Sequence, residues 1–244
     1  MKKIKYMNND EIELTCAQML DQYINRYGIK DKILPFIDID DFVLNYLGCT
    51  VVYECIVGNN NCLGFVSDGV TRLPVNRNGR KRYVLYDRDV IVLDKYLKTS
   101  GNESKRRFIL GHEAGHVITS RIYGNTAAYY NHAIDSEGNF NQQLLLGELN
   151  IYELQADRIS ACLLMPKHLL LKYMETYLND NKVIRYENYG ISKYDQSMLL
   201  RIANEMRVSK TTLMIRLREL NLIEKRPLSF QAESKEVFAY EPVC

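Results

Sequence analysis

Two of the four histidines in this 244-residue chain fall within one pentapeptide, His112-Glu113-Ala114-Gly115-His116. The segment around it, Asn102 to Tyr123, has helical spacing: Phe108, Ile109, His112, His116 and Thr119 share a side, and Gly124 follows as a stop. On a helix the fourth residue returns to within about 40° of the first, one turn along, so both imidazoles can reach a single ion. Glu113 then stands beside that ion without having to bind it, where its carboxylate can accept a proton from water that the ion acidifies. The flanking RRFIL and VIT place the histidine face on the buried side. Gly115 costs about 1 kcal/mol against alanine in a helix interior, which a site needing close backbone approach would explain. A fold built around this helix must bring further ligands to it from elsewhere in the chain.

A catalytic ion of this kind takes three protein ligands and keeps a fourth position open. The candidates for the third are Glu148, Glu153 and Asp157 in the next helical segment, His132 in the stretch between, and His168 beyond Pro166. Glu153 and Asp157 stand four apart in ELQAD and share a helix face. We therefore expect Glu153 as the third ligand and Asp157 as the acceptor for the second nitrogen of a ligating imidazole. His132 is the alternative ligand. It could instead steady an oxyanion, as could Tyr123, Tyr129 or Tyr130. His168 is read as structural.

Away from this site the pattern changes period several times. Asp10 to Tyr27 reads as an amphipathic helix stopped by Gly28, and a short helix runs from the Asp38, Asp40, Asp41 cluster to Gly48. CTVVYECIV reads as a strand and LGFVSDGVTRLPV as a second, interrupted at Asp68-Gly69. An Asn78-Gly79 turn signal precedes YVLYDRDVIVL, which kinks near Asp87-Arg88, so a curved sheet of about three strands is expected. Residues 125–146 look like a long loop or lid, and helix returns from Glu148 to Leu164. After the Met165-Pro166 interruption comes the helical HLLLKYMETYL, and then NDNKVIRYENYGISKYD, read as a linker. Two further helices, QSMLLRIANEMRV and a Ser209-capped SKTTLMIRLREL, precede a tail without pattern. The fold class is α+β: a small curved sheet against the pentapeptide helix over residues 1–178, with a helical carboxy-terminal part over 194–244.

With 46% hydrophobic and 25% charged residues the chain can bury a core, which excludes disorder as its dominant state. Lys plus Arg is 32 against 30 for Asp plus Glu, and a net charge of +2 gives no whole-protein attraction to nucleic acid or anionic membrane. The run Arg77, Arg80, Lys81, Arg82 reads as a solvated hairpin tip. The longest apolar run, Ala161 to Met165, is far short of the roughly 20 residues of a membrane span. The opening MKKIKYMNNDEIEL reaches Asn8, Asn9 and Asp10 before any apolar stretch, so no secretory signal and a cytoplasmic location are expected. Six cysteines without a CxxC pair read as reduced and structural.

RRFILGHEAGHVIT followed by ELQADRISACLLMP resembles the ImmA/IrrE family of metallopeptidases, which pairs HExxH with a downstream ExxAD and a Leu-Leu-Met-Pro helix end. RIANEMRVSKTTLMIRLRELNLI is similar to the family's segment after the catalytic helices, so the likeness covers roughly Val90 to Ile223. The resemblance implies a zincin-like core in which His112, His116 and Glu153 bind one Zn2+ per chain and Glu113 is the general base. It also implies a protein substrate, namely a helix-turn-helix repressor of a mobile element or stress response. The Tyr- and Asn-rich stretch between His116 and Glu153 departs from the family by its expanded length.

The helix pair around Arg207-Val208-Ser209 has the rhythm of a helix-turn-helix, its second helix carrying Lys210, Arg216 and Arg218. Arg207 occupies the turn position where glycine is usual, and Leu213, Ile215, Leu217 and Leu220 make that helix apolar, so direct DNA binding is not expected. Two functions are in view. One is a zinc endopeptidase that cuts a regulatory protein, and the other a non-proteolytic metal-containing regulator that binds DNA or a repressor.

Overall fold

Residues 6–26, 34–57, 62–124, 142–178, 182–187 and 189–227 are described by a computed structural model, with 142–150 given through their backbone. The chain clusters into two compact units that divide between Leu164 and Met165.

The first unit opens with α1 (Asn9–Arg26). Asn8 and Glu11 cap it reciprocally: Asn8 Oδ1 accepts from the Glu11 amide at 3.0 Å and Glu11 Oε2 from the Asn8 amide at 2.7 Å. Its buried stripe is Ile12, Cys16, Leu20 and Tyr23, close to the expected helix, while Tyr27 and Gly28 lie outside the described residues. The acidic cluster gives a single turn, α2 (Ile39–Asp41), capped by Asp38 and continued by a π-helical turn over Phe42–Tyr46.

Five strands follow: β1 (Val51–Ile56), β2 (Gly64–Val66), β3 (Leu73–Arg77), β4 (Arg80–Val84) and β5 (Ile91–Asp94). They form one curled sheet in the order β2-β5-β1-β3-β4, with β1 and β5 parallel and the other pairs antiparallel. Phe65, Leu73, Val75 and Val92 make its buried cluster. This corrects the expectation of about three strands. LGFVSDGVTRLPV is two strands, because Asp68 Oδ1 accepts from the amides of Val70 and Thr71 at 2.8 and 2.7 Å and turns the chain out of one ladder towards another. The Asp87-Arg88 kink is likewise a full break, with Asp89 at φ +62° and β4 and β5 on different neighbours. The Asn78-Gly79 turn is present, both residues left-handed at φ 56° and 73°, as a tight two-residue hairpin requires.

The helix α3 (Glu103–Tyr123) carries the pentapeptide and is tied down at both ends. Near its start Arg106 grips Asp40 through two parallel bonds of 2.5 and 2.7 Å, and buried Arg107 donates to the Ile37 carbonyl at 2.9 Å. Near its end Arg121 donates to the Leu47 carbonyl and to Asp89 Oδ2, each at 2.8 Å. Gly124 stops it at φ 80°. The next helix, α4 (Gln142–Leu164), packs along α3 and starts six residues before the expected Glu148. The Leu144-Leu145-Leu146 run masks the helical period while consisting of strong helix formers. The rest of the expected loop, 125–141, lies outside the described residues.

In the second unit α5 (Lys167–Tyr177) is followed by β6 (Val183–Tyr186), β7 (Gly190–Ile191), α6 (Lys193–Glu205), α7 (Lys210–Glu219) and β8 (Ile223–Arg226). The segment read as a linker instead contributes β6 and β7 to a sheet of order β7-β6-β8, in which β6 and the later β8 run parallel with Val183 opposite Ile223. Pairing across some forty intervening residues leaves no local signal, and burial of Val183 and Ile184 holds the short strand in place. Ser192 and Ser209 cap α6 and α7, each accepting an amide three residues on at 3.0 Å. Arg207 makes the intervening turn at φ 54°, and Arg216 points inward, 1% exposed, with its Nε donating to the Met165 carbonyl. Among the described residues no helix is long and apolar enough to cross a membrane, and five cysteines are free.

Candidate metal centre

The helical phase of α3 turns Leu110, Ala114, Val117 and Ile118 into the unit's interior and leaves His112 at the margin. The His112 side chain is 13% exposed, and His116 and Glu113 are buried. The two imidazoles meet edge to face, with centroids 4.6 Å apart and their Nε2 atoms 3.0 Å apart.

Gly111 and Gly115, one turn apart, form the seam along which α4 approaches. A Cβ built on Gly115 would lie 2.9 Å from the Ala156 Cα and 3.0 Å from its carbonyl oxygen, and one on Gly111 would lie 2.6 Å from Ser160 Oγ. Ser160 Oγ donates to the Phe108 carbonyl at 2.8 Å, pinning the two backbones together. The close approach expected at Gly115 is present, and its cause is α4 itself. Gly111, Ala156 and Ser160 were not singled out in the sequence, although small residues at matching intervals of four on two helices are a readable sign of such a seam.

Because the backbones lie so close, side chains on the rim of α4 reach the histidines. Glu153 Oε2 is 3.1 Å from His112 Nε2 and Oε1 is 3.7 Å from His116 Nε2. His112, His116 and Glu153 form the metal-competent group among the described residues, their ligand atoms all within 4.8 Å of one another. An ion bound tetrahedrally at about 2.0–2.2 Å separates its ligand atoms by roughly 3.3–3.5 Å. Separations of 3.0, 3.1 and 3.7 Å bracket that value, so two nitrogens and a carboxylate fit one ion with little rearrangement.

Asp157, one turn beyond Glu153, has its Oδ1 2.8 Å from His112 Nδ1. The site's electrostatics follow from these contacts. Burial alone would lower the His112 pKa, but the bonds to Asp157 and Glu153 outweigh it and raise it to about 10. His116 is driven the other way, well below its ordinary value, by burial and by the neighbouring His112 charge. Burial also raises Glu113 to about 7, with the His112 cation opposing and Glu153 adding to the shift.

Glu113 sits beneath β2, where a Cβ on Gly64 would lie only 2.7 Å from its Oε1 and 3.1 Å from its Cγ. Cys62 adjoins this place: its thiol donates to the Gly64 carbonyl at 3.3 Å, and burial together with the Glu113 charge raises its pKa to about 11. Neither residue was flagged from sequence, since a three-residue strand carries almost no pattern of its own.

The remaining sequence candidates are not brought to this group. Tyr123 ends α3 seven residues beyond His116, about 10 Å along the axis, where its hydroxyl feels Glu11. His168 is exposed on α5 in the second unit. His132, Tyr129 and Tyr130 lie outside the described residues, as does the side chain of Glu148.

Comparison with curated proteins finds no match. The family model of the IrrE N-terminal-like domain matches residues 70–218, more than half of the chain, and this span includes β3 to β5, α3, α4 and the metal-competent group. The chain belongs to the IrrE N-terminal-like domain family, a family of metallopeptidases.

Proposed function

We propose that the protein is a zinc-dependent endopeptidase that cleaves a regulatory protein, with His112, His116 and Glu153 as ligands, Asp157 orienting His112, and Glu113 as general base. The observation that carries the reading is the His112, His116 and Glu153 triangle with a buried carboxylate, Glu113, on the same helix turn. Two imidazoles and a single carboxylate suit Zn2+, whereas Mg2+ and Ca2+ prefer all-oxygen sites. Zinc, when bound, supplies Lewis acidity that polarises the scissile carbonyl and acidifies water.

The chain's own residues do the rest. Glu113, buried on the same helix turn as the two histidines, accepts the proton of the attacking water and passes it to the departing amine. Gly64 leaves room for that carboxylate on the sheet side. The edge strand β2 offers a place for substrate: Ser67 and Leu63 bond to the β5 side, so the main-chain groups of Gly64 and Val66 face the side on which no strand pairs among the described residues. An extended peptide paired there runs past the metal group.

The substrate class, a helix-turn-helix repressor of a mobile element or stress gene, is supported by the family resemblance. Incubating the zinc-loaded protein with such a repressor encoded beside its gene should give defined fragments by mass spectrometry, and chelation should abolish them. An intact repressor under zinc-loaded conditions would contradict this substrate.

A further inference from the structure

A recess of about 510 Å³ lies in the first unit, between the start of α1 and the middle of α4. Its walls are apolar: Met7 and Ile151 line it, and the exposed side chains of Tyr6 and Leu154 flank it. Ile151, Leu154, Gln155 and Arg158 recur at intervals of three and four and share one face of α4. The neighbouring face of the same helix presents Glu153 and Asp157 to the histidines.

Gln155 is 3% exposed, and its carboxamide ends at this recess: Oε1 accepts from the amide of Met7, itself a lining residue, at 2.7 Å. That bond fixes which end of the carboxamide is oxygen. The other end, Nε2, is buried and has no hydrogen-bond partner among the described residues. A buried N–H left unpaired is costly, and nearly all such groups in folded proteins find an acceptor. We infer that the recess binds an apolar side chain of a peptide partner together with the main-chain carbonyl beside it, which accepts from Gln155 Nε2.

The lining decides this chemistry. Asp10 and Arg158 are its one acid and one base, so no net charge selects an ion. A carboxylate would meet Asp10 and Glu11 in the first turn of α1, which offset the favourable helix terminus. A neutral carbonyl avoids that repulsion and still satisfies the donor. Water satisfies the donor too, but leaves Tyr6 and Leu154 wet, whereas an apolar side chain covers them. The volume suits such a group, since ligand sites run from roughly 300 to 1,000 Å³. The site goes beyond peptide hydrolysis and does not depend on it, because binding is read at equilibrium without turnover.

The test is an NMR titration of the isotope-labelled, zinc-loaded protein with a capped alanine–leucine–alanine amide, against the same peptide with glutamate or lysine in place of leucine. The leucine peptide should bind best and remain intact by mass spectrometry, and the assigned side-chain amide protons of Gln155 should shift and exchange more slowly. Gln155→Glu keeps an acceptor for the Met7 amide but puts an oxygen where the donor was, so affinity should fall about tenfold or more. Leu154→Ser removes part of the apolar wall at an exposed position and should also weaken binding, with fold and zinc content unchanged. If Gln155→Glu does not fold, Leu154→Ser and the wild-type Gln155 protons decide the question. No binding of the leucine peptide, unshifted Gln155 protons at saturation, full affinity in either folded variant, or tighter binding of a charged peptide would overturn the site.

Discussion

The carboxylate of Asp157 lies 2.8 Å from Nδ1 of His112, on the side of the ring opposite the Nε2 that faces Glu153 and His116. In the proposed metal complex this contact keeps a proton on Nδ1 and leaves Nε2 as the ligating atom once its own proton is displaced. Asp157→Asn keeps a polar partner but removes the charge that orients and enriches the ring. It should weaken zinc binding about 10- to 100-fold in chelator competition, with the fold retained.

Gly115→Ala probes the seam. The added methyl meets Ala156 backbone, which cannot rotate away, so α4 must move outward and carry Glu153 with it. A loss of about 1–3 kcal/mol in denaturant unfolding is expected, together with weakened metal binding. Ala156→Gly in the same chain should restore part of both, since one of the nearest contacts is the Ala156 Cβ at 3.3 Å.

Gly64→Ala acts at the base and leaves the ligands alone. Its methyl occupies the place of the Glu113 carboxylate, so hydrolysis should fall by about 10²-fold or more while zinc stays at wild-type stoichiometry. The ratio of kcat to metal content is the measurement, and parallel loss of both would instead indicate a general structural defect.

Above about pH 7 the metal-free protein should lose stability as pH rises, because His116, whose depressed pKa opposes the trend in more acid solution, is by then neutral in both the folded and the unfolded chain. His112, raised from 6.5 to about 10 in the folded state, contributes stability that is fully present below 6.5 and is lost as pH climbs through about 10. Glu113, raised from 4.5 to about 7, acts in the same direction: between those values the folded carboxyl holds a proton that the unfolded one has released. Zinc must displace the His112 proton, so binding near neutral pH should release protons and tighten as pH rises. Titration calorimetry in buffers of different ionisation enthalpy reads this directly.

The grouping of the candidate residues was legible where it follows helix periodicity. His112 and His116 at four residues, and Glu153 and Asp157 at four, each lie on the predicted faces, and the glycine cost at Gly115 pointed to the close approach that Ala156 makes. What meets across elements was not legible. Gly64 reaches Glu113 only because β2 pairs with β5, and β6 pairs with β8 across two helices. The start of α4 was hidden by three consecutive leucines, which suit a helix without showing its period.

The central claim is that Glu113 acts on water while His112, His116 and Glu153 hold the ion. Glu113→Gln separates the two, because the amide is nearly isosteric and loses only the basic carboxylate. Wild type and variant, each assayed for zinc per chain and for cleavage of the same protein substrate, give the most direct measurement. The account predicts one zinc in both and cleavage lost by about 10²- to 10⁴-fold in the variant. Equal cleavage by the variant at equal zinc content would contradict it.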